Sequence, residues 1–171
     1  MDTKRALRHQ AETSRRERDP VSLDQVLASH LTAAGGIAAY LPVGHEPRVT
    51  VQAGWLLPVV TEDGDLDWAA YDGQTARRRG VDEPTGPRLG RDAIADCDLV
   101  LVPAVLVATD GTRLGKGGGC YDRALPRTTG LTVALVDDSE LVAALPREAH
   151  DVRVAAVATP GRGVLRVPFK M

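Results

Sequence analysis

The residues Arg113-Leu114-Gly115-Lys116-Gly117-Gly118-Gly119-Cys120-Tyr121-Asp122-Arg123 gather four glycines, two arginines, a lysine and an aspartate into eleven positions. Glycine has no Cβ, so successive backbone N–H groups in such a loop can converge on one anion. A helix starting near Tyr121 would add its positive end. The flanking cations can neutralise several phosphate charges, and this is the chemistry of a nucleotide triphosphate site. The loop is no Walker A sequence, because no Ser or Thr follows Gly-Lys, and Cys120 breaks the dinucleotide fingerprint. The plain alternative is a flexible charged connection, although three consecutive glycines are entropically costly to order.

Such a loop needs rigid elements around it. The chain has 171 residues and is 43% hydrophobic, enough for one domain with a core. The apolar run Leu99-Val100-Leu101-Val102-Pro103 before the loop reads as a buried strand. Further strands are expected at Ile37 to Leu41, Trp55 to Val60, Leu66 to Tyr71, Leu131 to Val136 and Val152 to Thr159. Helices are expected at Thr3 to Glu17, exposed and with Lys4, Arg8 and Arg15 on one face, at Val21 to Ala33 with Ser22 as cap, and near Ser139 to Leu145. Asp72 to Asp96 is polar and is expected to wrap the surface. Strands alternating with helices predict an α/β fold, a single domain over residues 1–171, with a mainly parallel open sheet flanked by helices on both faces. Ligands then sit at the strands' C-terminal ends, where the Gly-rich loop and the Pro42–Pro47 loop would meet.

A net charge of −2 excludes a global attraction to nucleic acid or anionic membranes. Arg77, Arg78 and Arg79 read as a solvated surface cluster. The two cysteines, Cys97 and Cys120, form neither a disulfide framework nor a zinc site, which suits a reducing cytoplasm. No apolar run has membrane-spanning length, and the N-terminus does not read as a signal peptide.

In order and spacing, several segments resemble the 5-formyltetrahydrofolate cyclo-ligase family. They are Lys4-x-x-Leu7-Arg8 with Arg15 seven residues on, Tyr40-Leu41-Pro42 followed by Glu46, Leu56-Leu57-Pro58-Val59 and Glu83-Pro84. Leu99–Pro103, Arg113–Arg123, His150-Asp151 and Ala156-Val157-Ala158-Thr159 complete the set. The resemblance covers nearly the whole chain. It implies an ATP- and Mg2+-dependent enzyme in which the formyl oxygen of 5-formyltetrahydrofolate takes the γ-phosphoryl group. Nitrogen-10 then closes the ring, giving 5,10-methenyltetrahydrofolate, ADP and phosphate. Positioning and electrostatics would supply most of that catalysis.

The resemblance also implies roles. Lys4, Arg5, Ala6, Leu7 and Arg8 correspond to an N-terminal ATP clamp, and Arg113, Leu114, Gly115, Lys116, Gly117, Gly118, Gly119, Cys120 and Tyr121 to the loop that wraps the phosphates. Arg113 and Lys116 are the catalytic candidates. Leu41, Glu46 and residues Lys116 to Cys120 correspond to the folate site, with Glu46 accepting from pterin N–H groups. Asp122 and Asp151 correspond to magnesium ligands. Read without the family, Lys4 and Arg8 are a solvated helix face, Asp122 a helix cap, Asp151 a turn residue and Glu46 a loop residue. The implied partner is a small molecule, and the implied state is a cytoplasmic monomer.

Two departures stand out. Ala108 occupies a position where the family usually carries an acidic residue, with Asp110 two residues on. Only Pro47 to Trp55 separate Glu46 from Leu56, a space in which the family has a full helix. Together they support an alternative: a weakly active or inactive relative that still binds folate and ATP.

Overall fold

The computed structural model describes residues 2–171. The chain runs through α1 (Thr3–Arg16), α2 (Asp24–Ala33), β1 (Ile37–Ala38), β2 (Leu56–Val60), β3 (Leu66–Ala70), β4 (Thr75–Arg78), β5 (Val81–Pro84) and β6 (Leu99–Pro103). It continues through β7 (Leu106–Ala108), β8 (Arg113–Leu114), α3 (Cys120–Ala124), β9 (Leu131–Leu135), β10 (Leu141–Val142), β11 (Ala156–Thr159) and β12 (Gly163–Arg166). The main sheet has the order β12-β11-β9-β6-β1-β2-β3. Its five inner strands are parallel and both edge strands antiparallel.

The continuous apolar run of β6 reflects burial on both faces. Its alternate side chains feed two cores. Val100 and Val102 pack with Ile94, Ala124, Ala134 and Val157, under α3 and the 3-10 turn Arg91–Asp96. Leu99 and Leu101 pack with Leu27 of α2, Val133, Leu135 and Ala156. The fold class is therefore the expected one. The inner order β2-β1-β6-β9-β11 reverses direction between β1 and β6. At such a switch point the strand ends diverge and leave a crevice at their carboxyl side.

Several local expectations change. The residues 139–145 form no helix. Asp137 and Glu140 cap one another around a single 3-10 turn, Asp138–Glu140, and Leu141-Val142 then pairs in parallel with β7. Too few residues remain before Pro146 for a helix to become established. Helix α2 begins at Asp24, with Leu23 at its N-cap and the Ser22 hydroxyl 3.4 Å from the Asp24 N–H. The segment 72–96 contains the β4–β5 hairpin, and Arg77, Arg78 and Arg79 sit exposed on it. The short connection from β1 to β2 is still a parallel crossover, with Ala38 opposite Leu56. It has no helix; instead Asp24 accepts from both the N–H and the hydroxyl of Thr50, and the Tyr40 hydroxyl donates to the Pro47 carbonyl.

The α1 face bearing Lys4, Arg8 and Arg15 is turned inward, contrary to an exposed helix. Asp2 caps the helix by accepting from the Lys4 N–H, and Arg15 is buried.

Candidate active site

The crevice at the switch point is a cavity of about 490 Å3. The carboxyl ends of β1 and β6 supply Tyr40, Leu41, Pro103 and Ala104 to its wall, and α1 supplies Lys4, Arg8 and Arg15. The Gly-rich loop from Arg113 to Asp122 lines it throughout, with Glu46 and the Glu148–Asp151 segment beside it.

Strand β8 holds the start of the loop against β7, and α3 holds its end. Between them the backbone N–H groups of Lys116, Gly117, Gly118 and Gly119 donate to no acceptor among the described residues. Gly117 and Gly119 have φ of +107° and +72°, a region that favours glycine. A Cβ on Gly115 would lie 2.7 Å from Arg113 Nη1, so a larger residue there would displace the guanidinium. Side chains brace the loop from outside. Arg8 Nε donates to the Gly115 carbonyl at 2.7 Å, and Arg123 bridges the Gly64 and Gly118 carbonyls at 2.9 Å each. Because α3 spans only Cys120–Ala124, its dipole adds little, and the cradle rests on free N–H groups and side-chain cations.

Arg113 is a buried cation at the start of the loop. Its Nη1 donates to the Pro103 carbonyl at 3.0 Å, Nη2 lies 3.8 Å from Asp122 Oδ1, and the guanidinium lies 5.6 Å from the Tyr121 ring centre. Burial lowers its pKa, and Asp122 acts in the opposite direction. Burial also pushes the Tyr121 phenol upward, so it stays a neutral donor. Among the described residues, the buried side-chain atoms without a partner include Arg113 Nε, the Tyr121 hydroxyl and Glu83 Oε2, and all three residues line this cavity. Unsatisfied buried polar atoms are costly, and their concentration in one cavity marks a place built for a polar ligand.

Lys116 is half-exposed at the loop tip, 3.4 Å from Glu46 Oε1. That oxygen also accepts from the Val43 N–H at 2.8 Å, which fixes the carboxylate at the edge of the cavity. Asp122 Oδ1 accepts from the Val152 N–H at 3.0 Å, which places Asp122 beside the Asp151–Val152 peptide. Asp151 Oδ2 accepts from Lys4 Nζ at 2.6 Å and from the Glu148 N–H at 2.8 Å. Burial raises the Asp151 pKa, but the Lys4 hydrogen bond and charge, the Glu148 N–H and His150 together outweigh it and hold the carboxyl below its ordinary value. Asp122 Oδ2 accepts no hydrogen bond among the described residues. The ligand atoms that cluster are those of Glu148, His150 and Asp151, within 4.8 Å of one another; Asp122 stands outside that group, beside Val152, and carboxylate oxygens of this kind are the hard donors that a magnesium ion takes.

The fold thus brings Lys4, Arg8, Leu41, Glu46, Arg113–Asp122 and Asp151 to one cavity. Arg5 and Ala6 are exposed outside it, and Leu7 packs against Val105, Leu106 and Leu114 beneath α1. Tyr40, Arg15 and the β5 segment Val81–Pro84 line the cavity without having been singled out for a role. The Glu83-Pro84 pair was a usable signal. Ala108 is fully buried in β7 and lines no part of the cavity, while Asp110 accepts from the Thr112 N–H at the β7–β8 turn.

Comparison with known proteins gives a consistent picture. Residues 2–160 match the model of the 5-formyltetrahydrofolate cyclo-ligase family. The chain is 38% identical over 146 residues to a 5-formyltetrahydrofolate cyclo-ligase of Mycolicibacterium smegmatis, covering 75% of each chain. It is 38% identical over 68 residues to the Escherichia coli K12 protein of the same name, covering 38% of this chain and 37% of that one. The NMR structure of Aquifex aeolicus 5,10-methenyltetrahydrofolate synthetase superposes with a TM-score of 0.70 at 26% identity, over 98% of this chain and 92% of that one. A 5,10-methenyltetrahydrofolate synthetase from Mycoplasma pneumoniae shares the fold, with a TM-score of 0.69 at 21% identity over 92% of this chain and 98% of that one.

Proposed function

The chain belongs to the 5-formyltetrahydrofolate cyclo-ligase family and has that family's activity, and we propose that it works with ATP and Mg2+ through the residues gathered in the switch-point cavity. The observation that carries the ATP assignment is the run of four loop N–H groups without acceptors, set among Arg8, Arg113 and Lys116. Such donors satisfy phosphate oxygens at no cost in lost protein hydrogen bonds.

On this reading Lys4, Arg8 and the loop from Arg113 to Tyr121 bind the triphosphate. Arg5, Ala6 and Leu7 belong to the clamp through their place in α1. Leu41, Glu46 and the loop tip from Lys116 to Cys120 hold the folate, with the formyl oxygen turned toward the γ-phosphate. Arg113 is held rigidly by the Pro103 carbonyl and screens charge that develops during transfer; Lys116 approaches from the opposite, open side. Asp122 and Asp151 would hold magnesium, which supplies charge screening on the phosphates when bound. Tyr121 packs its ring against Arg113 and leaves its hydroxyl as a donor for the ligand.

We further propose that residues 1–171 act as one cytoplasmic monomer. All the candidate groups come from a single chain, and Cys97 and Cys120 are unpaired. Among the described residues no helix is long and apolar enough to cross a membrane. The alternative of a weakened relative drew on Ala108, which lies outside the cavity, and on the short crossover, which is paired and braced. Mixing the purified protein with ATP, Mg2+ and 5-formyltetrahydrofolate should produce methenyl absorbance that depends on all three. Binding of both ligands without that absorbance would return the reading to a binding-only relative.

A further inference from the structure

We propose that Glu83 is a substrate-binding residue, a second carboxylate that accepts from the N–H donors of the folate head group on the β5 part of the cavity wall. The proposal rests on the reading that this cavity takes the folate. Glu83 is 5% exposed and lines the cavity beside an apolar lobe formed by Leu57, Pro58, Val60, Leu66, Val81 and Pro84. Its Oε1 accepts only a long hydrogen bond, 3.3 Å from the Val60 N–H, and its Oε2 is buried with no hydrogen-bond partner.

The nearest opposite charge to Glu83 is Arg78 Nη1, at 3.6 Å from Oε2. Arg78 is half-exposed on the hairpin, and a pair of that kind adds little. It does not offset the burial of a carboxylate, which is costly when the oxygens lack partners. A carboxylate kept at that cost in an apolar lobe is explained by a ligand that brings donors. A flat heterocycle with an amino-pyrimidine edge fits both features: its faces match the aliphatic lobe, and its adjacent N–H groups match one carboxylate. Glu46 offers less for this, since its Oε1 already accepts from Val43 and Lys116. The carrying hairpin is a separate two-stranded sheet packed through β5 on β2, so it can adjust.

The test is calorimetric binding of 5-formyltetrahydrofolate and of ATP to the whole protein, with melting curves, for wild type and Glu83→Gln. The amide keeps Oε1 for Val60 and removes the buried charge. Expected are a folate affinity about 10- to 100-fold weaker, an unchanged ATP affinity, and a melting temperature equal to or above that of wild type. A 2-desamino analogue of the substrate should lose little further affinity in the variant, because its donor is already missing. If Glu83→Gln folds poorly, Glu83→Met provides the same comparison with an apolar side chain of similar length. Unchanged folate affinity in the folded variant overturns the proposal, and so does an equal loss for both ligands with a lower melting temperature, which marks a structural carboxylate. Failure of the wild type to bind the folate at all would instead overturn the cavity assignment.

Discussion

Removing the Arg15 side chain should cost more than any surface substitution on α1, and the structure sets the size of the loss. Arg15 Nε lies 2.7 Å from Glu140 Oε2, and Nη2 donates to the Ala104 carbonyl at 2.8 Å. Both side chains of the pair are buried, at 6% and 4% exposure. Taking one partner from a buried ion pair costs about 3–5 kcal/mol, because the other charge is left uncompensated. Here Arg18 Nη2 also lies 2.7 Å from Glu140 Oε2 and is only partly buried. It remains as a counter-ion, so the lower end of the range, about 3 kcal/mol, is expected for Arg15→Ala. For a chain of this size that corresponds to a fall in melting temperature of about 6–12 °C.

The loss should also reach the site. Arg15 ties the C-terminal half of α1 to the end of β6, and the same helix face carries Lys4 and Arg8. KM for ATP should therefore rise while KM for the folate stays near wild type. Arg15→Lys should recover only part of the stability, since an ammonium cannot serve Glu140 and the Ala104 carbonyl with the same planar fork. A double-mutant cycle with Glu140→Gln in urea denaturation isolates the pair. A fall below about 2 °C, or a coupling energy under about 0.5 kcal/mol, would refute this account of how α1 is held.

Three other substitutions probe the site and the strand beside it. Arg113→Ala should lower kcat by about two to three decades, read as methenyl formation, with a melting curve to confirm folding. Asp122→Asn keeps Oδ1 for the Val152 N–H, so its melting temperature should match wild type while half-saturation by Mg2+ rises at least about tenfold. Ala108→Asp should destabilise by about 1–3 kcal/mol, the cost of a buried polar group without a partner, and bring no gain in turnover. A gain would mean that the acidic residue the family usually carries here still matters.

The parts of the fold that were legible in the sequence are those set by local pattern. Strand β6 shows as an unbroken apolar run because both of its faces are covered. Lys4, Arg8 and Arg15 fall on one helical face by spacing alone. Spacing does not say whether that face meets water or protein. The answer depends on Asp151, the Gly115 carbonyl and Glu140, which are remote in sequence. The same limit explains residues 139–145, where a helical composition gives way to a turn because Asp137 and Glu140 cap each other and Leu141 joins β7. Tyr40 and Ala104 reach the cavity through the order of the main sheet, and Glu83 through the packing of β5 on β2, neither of which a local window encodes.

The free protein already neutralises the charges it collects. Lys4 lies 2.6 Å from Asp151, Lys116 lies 3.4 Å from Glu46, and Arg113 lies 3.8 Å from Asp122. On the proposed assignment each pair joins a phosphate-facing cation to a carboxylate with a role of its own, toward metal or folate. Without these partners, three like charges at the rim of one crevice would repel and splay the loop. With them, the cations stand near their working positions before any ligand arrives. On that assignment, phosphate and metal together would replace the Lys4–Asp151 contact on both sides at once, whereas either alone would strand one member of the pair. That asymmetry would favour uptake of nucleotide and metal as a complex, and it follows from the pairing rather than from any motion of the fold.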